Sequence, residues 1–314
     1  MSKSGAREDQ DAVADHRETS PAVSWPGIVA AYFSLAKPRI TLFLLFVTAC
    51  GFWLGHGVRV QKYALAVMLF GTALLSAGIF ALNQYLEREP DRLMQRTADR
   101  ALPSGRLRPG AALLFGLACL VVAELCFFLF VSTLAAVLAL FVAFSYDLVY
   151  TPLKRRSWWS VVVGAVPGAL PPVIGWVSAG RSLDATAGLL FAIGFLWQFP
   201  HFHAIAWLCR EDYARARICM LPVIERDGRS TARQIIFAIL ALLPVSLLPV
   251  WWGIAGPLYG VTALLMGLVY AGFGVMFGRA LTKGNARLLL RASLLYLPLL
   301  LGLMALDRNP QRTF

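Results

Sequence analysis

Long apolar runs decide what this chain can be. From Ile40 onward it repeatedly goes roughly 20 residues with mostly aliphatic and aromatic side chains, the length a helix needs to cross ~30 Å of hydrocarbon. Inside hydrocarbon every backbone N–H and C=O must be satisfied by the spanning structure itself, which leaves helices or closed barrels. A barrel would show short alternating segments, and these runs do not alternate. The expected fold is therefore all-α, a polytopic membrane bundle of about nine spans. They fall near 40–54, 63–82, 111–130, 134–150, 158–177, 185–208, 235–252, 258–277 and 288–306. Composition agrees: 58% of the 314 residues are hydrophobic and 15% charged, against about 25% charged in a soluble domain.

The chain divides into a polar tail (1–24), a membrane domain (25–306) and a short C-terminal tail (307–314). The first tail has no apolar core, so it is no secretory signal, and its composition predicts disorder. Residues 26–36 read as an approach helix or interfacial segment. The fifth span carries Pro167, Pro171 and Pro172 with Gly164, Gly168 and Gly175, which predicts a kinked helix facing the bundle interior. The net charge of +12 marks loops on one side of a membrane, not nucleic-acid binding. Basic residues crowd alternate loops: Lys37 and Arg39, Arg88 to Arg108, Lys154 to Arg156, Arg210 to Arg233, and Arg279 to Arg291. Arg59 and Lys62 break the alternation mildly. The bias puts the N-terminus and these loops in the cytoplasm and the C-terminus outside. The five cysteines form no C-x-x-C pair and imply neither a disulfide frame nor a zinc site.

The second span delivers Asn83, Glu87 and Asp91, four residues apart and so on one helix face. Arg92, Arg96 and Arg100 follow. Pro90 cannot donate to Leu86, so the helix is expected to kink or end there, with Asp91 on the loop side. A magnesium ion is the economical reading, because it takes oxygen ligands from one or two carboxylates plus substrate phosphates. The arginines would grip phosphate oxygens. The alternative is a charged loop that only sets topology. A second acidic cluster, Glu211 and Asp212, with Arg215 and Arg217 behind it, falls on the same membrane side and favours a diphosphate clamped between two magnesium sites.

Other segments carry a family resemblance. They are Leu35-Ala-Lys37-Pro38-Arg39-Ile40; Arg96-Thr-Ala-Asp-Arg100-Ala-Leu-Pro103-Ser104-Gly105-Arg106; Tyr150-Thr151-Pro-Leu-Lys154-Arg155; Gly168-Ala-Leu-Pro171-Pro172-Val-Ile-Gly175-Trp176; Trp197-Gln-Phe-Pro200-His201-Phe202; and Asp212-Tyr213 with Met220-Leu-Pro222-Val223. In this order they resemble the UbiA superfamily of intramembrane aromatic prenyltransferases, and within it the heme-farnesylating (heme O synthase) branch. Asn83, Glu87 and Asp91 match the superfamily's N-x-x-x-D-x-x-x-D, with Glu87 replacing the first aspartate.

The resemblance implies a UbiA-like bundle around a central cavity, in the inner (plasma) membrane. It implies farnesyl diphosphate and heme b as substrates, Mg²⁺ as cofactor, the lipid bilayer as surroundings, and contact with heme A synthase or a terminal oxidase. Asn83, Glu87, Asp91 and Asp212 would hold metal. Arg39, Arg96, Arg100 and Lys154 would neutralise diphosphate, and Tyr150 would orient a phosphate oxygen or shield a cation. For Lys154 a plain positive-inside anchor stands beside this role. His201, of the Pro-His-Phe pattern, would bind heme through iron or a propionate, or simply pack. The same fold also fits a prenyltransferase for a quinone-precursor ring. A transporter of an anionic metabolite is the alternative from another class.

Overall fold

The computed structural model describes residues 25–56, 62–225 and 227–309. The tail 1–24, Arg59 and the end of the C-terminal tail lie outside them. Among the described residues there is no β-strand, and nine helical stretches are long and apolar enough to cross a membrane.

A short helix, α1 (Trp25–Leu35), lies ahead of the first span and presents Trp25, Val29 and Phe33 outward at four-residue spacing. Its other face buries Ala31 and Leu35 against Ala81, Ala101 and Leu102. The spans follow: α2 (Pro38–Gly55), α3 (Lys62–Leu86), then after the short α4 (Arg88–Arg92), α5 (Pro109–Phe130) and α6 (Thr133–Phe144). α6 passes into a π-helical segment, Ser145–Tyr150, and ends in α7 (Thr151–Leu153). The fifth span is two helices, α8 (Ser160–Ala169) and α9 (Pro171–Ser178); α10 (Ala185–Leu208) is the sixth. After the short α11 (Arg210–Arg215) and α12 (Leu221–Ile224) come α13 (Arg229–Trp251), α14 (Pro257–Arg279) and α15 (Lys283–Leu306).

The ends follow from local chemistry. Pro38, Pro109, Pro171 and Pro257 sit in first turns, where a missing N–H costs nothing. Ser132, Asp184 and Thr282 cap α6, α10 and α15 by accepting from backbone N–H groups three residues on. The fifth span breaks at Leu170, because Pro171 and Pro172 have no N–H to continue the ladder of α8. It is also the most enclosed span, as its proline and glycine content predicts.

Helices α2, α3, the π segment with α8, α10 and α15 each pack on the next, and α15 returns to α2, so they form a ring. α5 and α6 lean on one flank, α13 and α14 on the other. Small residues let backbones approach, since association in lipid relies on close packing. Gly175 of α9 meets the Thr48 backbone of α2, and Gly51 of α2 meets Pro172 of α9. A Cβ on Gly175 would stand 2.0 Å from the Thr48 carbonyl oxygen. The start of the C-terminal tail is also anchored: Gly256 N–H donates to the Asp307 carbonyl at 2.7 Å, and Asn309 N–H to Ile254 O at 2.9 Å.

The α2–α9 crossing yields a prediction. Gly175→Ala forces two backbones apart and is expected to destabilise the bundle by about 1–3 kcal/mol. Thermal unfolding in detergent measures it, and an unchanged midpoint would show that this crossing tolerates separation.

Candidate functional site

A cavity of about 220 Å³ lies where α2 begins and where α3, α7 and α10 end. These four helix ends share one rim, and direct bonds tie them. Lys37 Nζ donates to Asn83 Oδ1 at 3.4 Å, Asn83 Nδ2 to Thr151 Oγ1 at 3.1 Å, and Cys219 N–H to the Lys154 carbonyl at 2.7 Å.

The acidic ladder enters the wall as its spacing predicts. Asn83, Glu87 and Asp91 all line the cavity. α3 ends at Leu86, four residues before Pro90, yet Asp91 N–H still reaches Glu87 O at 2.8 Å. The helical register therefore survives the break, and Asp91 sits in α4 instead of on a loop. Asn83 is 2% exposed and Asp91 0%. Such burial is costly for a carboxylate unless it is paired. Asp91 Oδ2 accepts from Arg100 at 2.7 Å, while Oδ1 has no partner. Glu87 Oε1 accepts from Lys154 Nζ at 2.8 Å.

The cations are gathered as tightly. Lys37, Arg96, Arg100 and Lys154 line the same wall. The Lys154 ammonium also sits 4.4 Å over the Tyr150 ring, and that of Lys37 lies 4.7 Å over Phe80. Burial alone pushes the Glu87 carboxyl up, but the Lys154 ammonium, with Lys37 and Arg100 behind it, reverses this and holds it below the usual range. Burial pulls Lys154 down, and Glu87 more than offsets it, carrying the amine well above its ordinary value. Lys37 lacks such a close carboxylate: burial first, then the Arg100 charge, pull it down to about 7. Lys37 also adopts a left-handed backbone, φ 45°, at the turn into α2. The following Pro38 and the loop before it fix that turn, which aims the side chain into the site.

Tyr150 lines the wall beside Tyr146; Arg39 does not, being exposed in the first turn of α2. Asp212 stands at the same rim but outside the wall. Its carboxylate accepts from Gln95 N–H at 3.0 Å and from the Arg215 guanidinium. Arg215, three residues on in the same short helix, reaches it first, so Asp212 ties α11 to the turn after α4. Burial pushes its carboxyl up, but these donors hold it below the aspartate range. Glu211 pairs with Lys283 at 2.8 Å at the surface.

His201 also lies outside the wall. Phe202 and Ile205 of α10 face the cavity, so the flanking residues rotate away by the helix's turn per residue. His201 Nδ1 meets Ser293 Oγ of α15 at 2.8 Å, and its ring stacks on Trp197 at 4.7 Å. His203 Nε2 meets Gln234 Oε1 of α13 at 3.0 Å.

Lys37, Tyr146 and Asp147 escape the sequence reading. Lys37 shows in the sequence only as the first member of Lys37-Pro38-Arg39, of which Arg39 is the expected phosphate ligand. Asp147, inside the fourth span, is 3% exposed and neither carboxylate oxygen has a partner. An acid within an apolar run was its signal.

The donor set suits a hard cation. Asn83, Glu87 and Asp91 supply oxygens only, and the orphaned Oδ1 of Asp91 is a buried acceptor awaiting a charge. Among the described residues no three His, Cys, Asp or Glu side chains form a ready cage. A metal here would need further oxygens from a ligand.

The family model described as the UbiA prenyltransferase family matches residues 44–305. A protoheme IX farnesyltransferase of Solibacter usitatus is 49% identical over 288 residues, covering 88% of this chain and 98% of the relative. Among solved structures, one of digeranylgeranylglyceryl phosphate synthase superposes with a TM-score of 0.75 at 15% identity, covering 89% of this chain and 98% of that one. A UbiA homologue from Archaeoglobus fulgidus bound to GPP and Mg²⁺ gives 0.58 at 17% identity, covering 87% and 99%. Both structures share the fold.

The buried amine of Lys37 predicts a pH dependence. Between pH ~7 and the ordinary lysine value near 10.4, the unfolded chain binds a proton that folded Lys37 releases. Stability from this group therefore rises with pH across that window and is lowest toward neutrality. Thermal midpoints in detergent from about pH 7 to 9.5 are expected to climb for the wild type relative to Lys37→Met. Parallel profiles would contradict the desolvation of this amine.

Proposed function

The chain belongs to the UbiA prenyltransferase family, and we propose that it transfers the farnesyl group of farnesyl diphosphate to a vinyl group of protoheme IX, forming heme O. The observation that carries this reading is the cavity wall in which Asn83, Glu87 and Asp91 meet Lys37, Arg96, Arg100 and Lys154. Oxygen donors for a metal and charged donors for phosphate thus meet at the mouth of an apolar bundle. The activity for which the relatives are named supports heme over a quinone-precursor ring as acceptor.

Asn83, Glu87 and Asp91 would hold Mg²⁺, which when bound supplies positive charge to the diphosphate oxygens. Arg96, Arg100, Lys37 and Lys154 bind the diphosphate and favour its departure with the electron pair of the C1–O bond. The resulting allylic cation is shielded by Tyr146 and Tyr150, whose ring faces attract positive charge. The vinyl group attacks C1, and water captures the cation left beside the porphyrin ring. His201, outside the wall, holds α10 to α15 in this account. Asp212 fixes α11 at the rim.

The excess of Lys and Arg on these loops supports a cytoplasmic rim and N-terminus, and the reading sets the protein in a plasma membrane. Contact with heme A synthase or a terminal oxidase in the same bilayer belongs to this reading, because so apolar a product does not leave the membrane.

Purified protein with heme b, farnesyl diphosphate and Mg²⁺ is expected to give a farnesylated, hydroxylated heme by mass, and chelation of the metal to stop it. Prenylation of a hydroxybenzoate instead of heme would remove this reading. Asp91→Ala is expected to lower turnover by at least about 100-fold while the protein still inserts in the membrane. Full activity in this variant would show the metal-facing oxygen to be misplaced.

A further inference from the structure

Every charged residue of the cavity wall comes from the first half of the chain, between Lys37 and Lys154. The second half adds Phe202, Ile205, Tyr213, Ile218 and Met220, and among these Tyr213 alone has a hydrogen-bond donor in its side chain. The sequence points to Asp212 as the polar contribution of this segment. Asp212 instead stands outside the wall, where it accepts from Gln95 N–H. Successive residues of a helix are turned by about 100° from one another. The bond that holds Asp212 on Gln95 therefore leaves its neighbour, Tyr213, turned to the cavity.

The Tyr213 ring is fixed from several directions. It packs in an apolar cluster with Met94, Ala206 and Met220. Its N–H donates to Cys209 O at 2.9 Å, and its carbonyl accepts from Ile218 N–H at 2.9 Å. The residue is only 9% exposed. Its hydroxyl nevertheless makes no hydrogen bond among the described residues, and unlike the Tyr270 hydroxyl it is not closed to a water molecule. A buried donor left unpaired is costly unless a ligand or water takes up its hydrogen bond. The wall residues whose charges act on this phenol are Arg96, Lys154 and Tyr150. Tyr213 thus brings a neutral donor to the neighbourhood of the cations that receive diphosphate.

We propose that Tyr213 is a further diphosphate-binding residue, whose hydroxyl donates a hydrogen bond to a phosphate oxygen of the prenyl diphosphate. The cations attract that ligand by charge, which has little direction. A hydroxyl on a packed ring has a fixed direction, so it selects one orientation of the diphosphate. The contact also ties the bound ligand to α11 and, through Asp212 and Gln95, to the turn that carries Arg96. The inference rests on a prenyl diphosphate as donor substrate and is independent of the acceptor.

Tyr213→Phe keeps the ring and removes the donor. Wild type and variant in detergent are titrated by calorimetry with inorganic pyrophosphate and Mg²⁺, and in parallel with a non-hydrolysable farnesyl diphosphate analogue. Thermal midpoints are taken without ligand. Both ligands are expected to bind the variant about 10-fold more weakly, with an unchanged midpoint. Equal affinity of the two proteins for pyrophosphate would overturn the proposal, and a loss confined to the farnesyl analogue would place the hydroxyl against the prenyl chain instead. A lowered midpoint in the variant would also overturn it, by assigning the hydroxyl to the fold. A wild type that binds neither ligand would sink the diphosphate reading itself, and this inference with it.

Discussion

The ion pair between Glu87 and Lys154, at 2.8 Å and largely shielded from solvent, is the contact on which the rest of the site depends. It joins the end of α3 to the end of the fourth span. Neither charge would be tolerated alone: removing one partner of a buried pair costs about 3–5 kcal/mol. The Asp91–Arg100 pair adds a second such clamp nine residues apart in sequence, closing the basic loop back over α4. Together they hold opposite charges at the apolar mouth of the bundle without cancelling them. Lys37, the free oxygen of Asp91 and the amide of Asn83 remain turned toward the cavity.

The bundle exists to present these ends at one level. Close packing of α2 on α9 through Gly51 and Gly175, and of α3 on α5 through Gly78 and Gly116, fixes how far each helix projects. The split of the fifth span lets α8 and α9 each find a tight neighbour. The π segment then turns Tyr146 and Tyr150 into the wall. Local backbone departures thus fall at the chemistry, while the lipid-facing α5 and α14 stay regular.

Much of this could be read from the chain. Apolar run length yields the spans, because hydrocarbon thickness leaves few alternatives. The four-residue spacing of Asn83, Glu87 and Asp91 places them on one wall, and Pro90 hides only how little the register is disturbed. Side-chain competition was not legible. Asp212 has the composition of a metal ligand, but Arg215 and Gln95 both bind its Oδ1 and it stands outside the cavity wall. His201 carries a family pattern, yet rotation about α10 gives the cavity to Phe202. Arg39 and Lys37 look interchangeable in sequence. The left-handed turn at Lys37 decides that the lysine enters and the arginine stays outside.

The central claim is that these paired charges form a standing site for a metal-bound prenyl diphosphate. Calorimetric titration of a non-hydrolysable farnesyl diphosphate analogue into the detergent-solubilised protein tests it directly. The account predicts saturable binding that requires Mg²⁺ and is lost when Glu87 and Lys154 are replaced together by Gln and Met. Equal binding under chelation, or undiminished binding in the double variant, would contradict it.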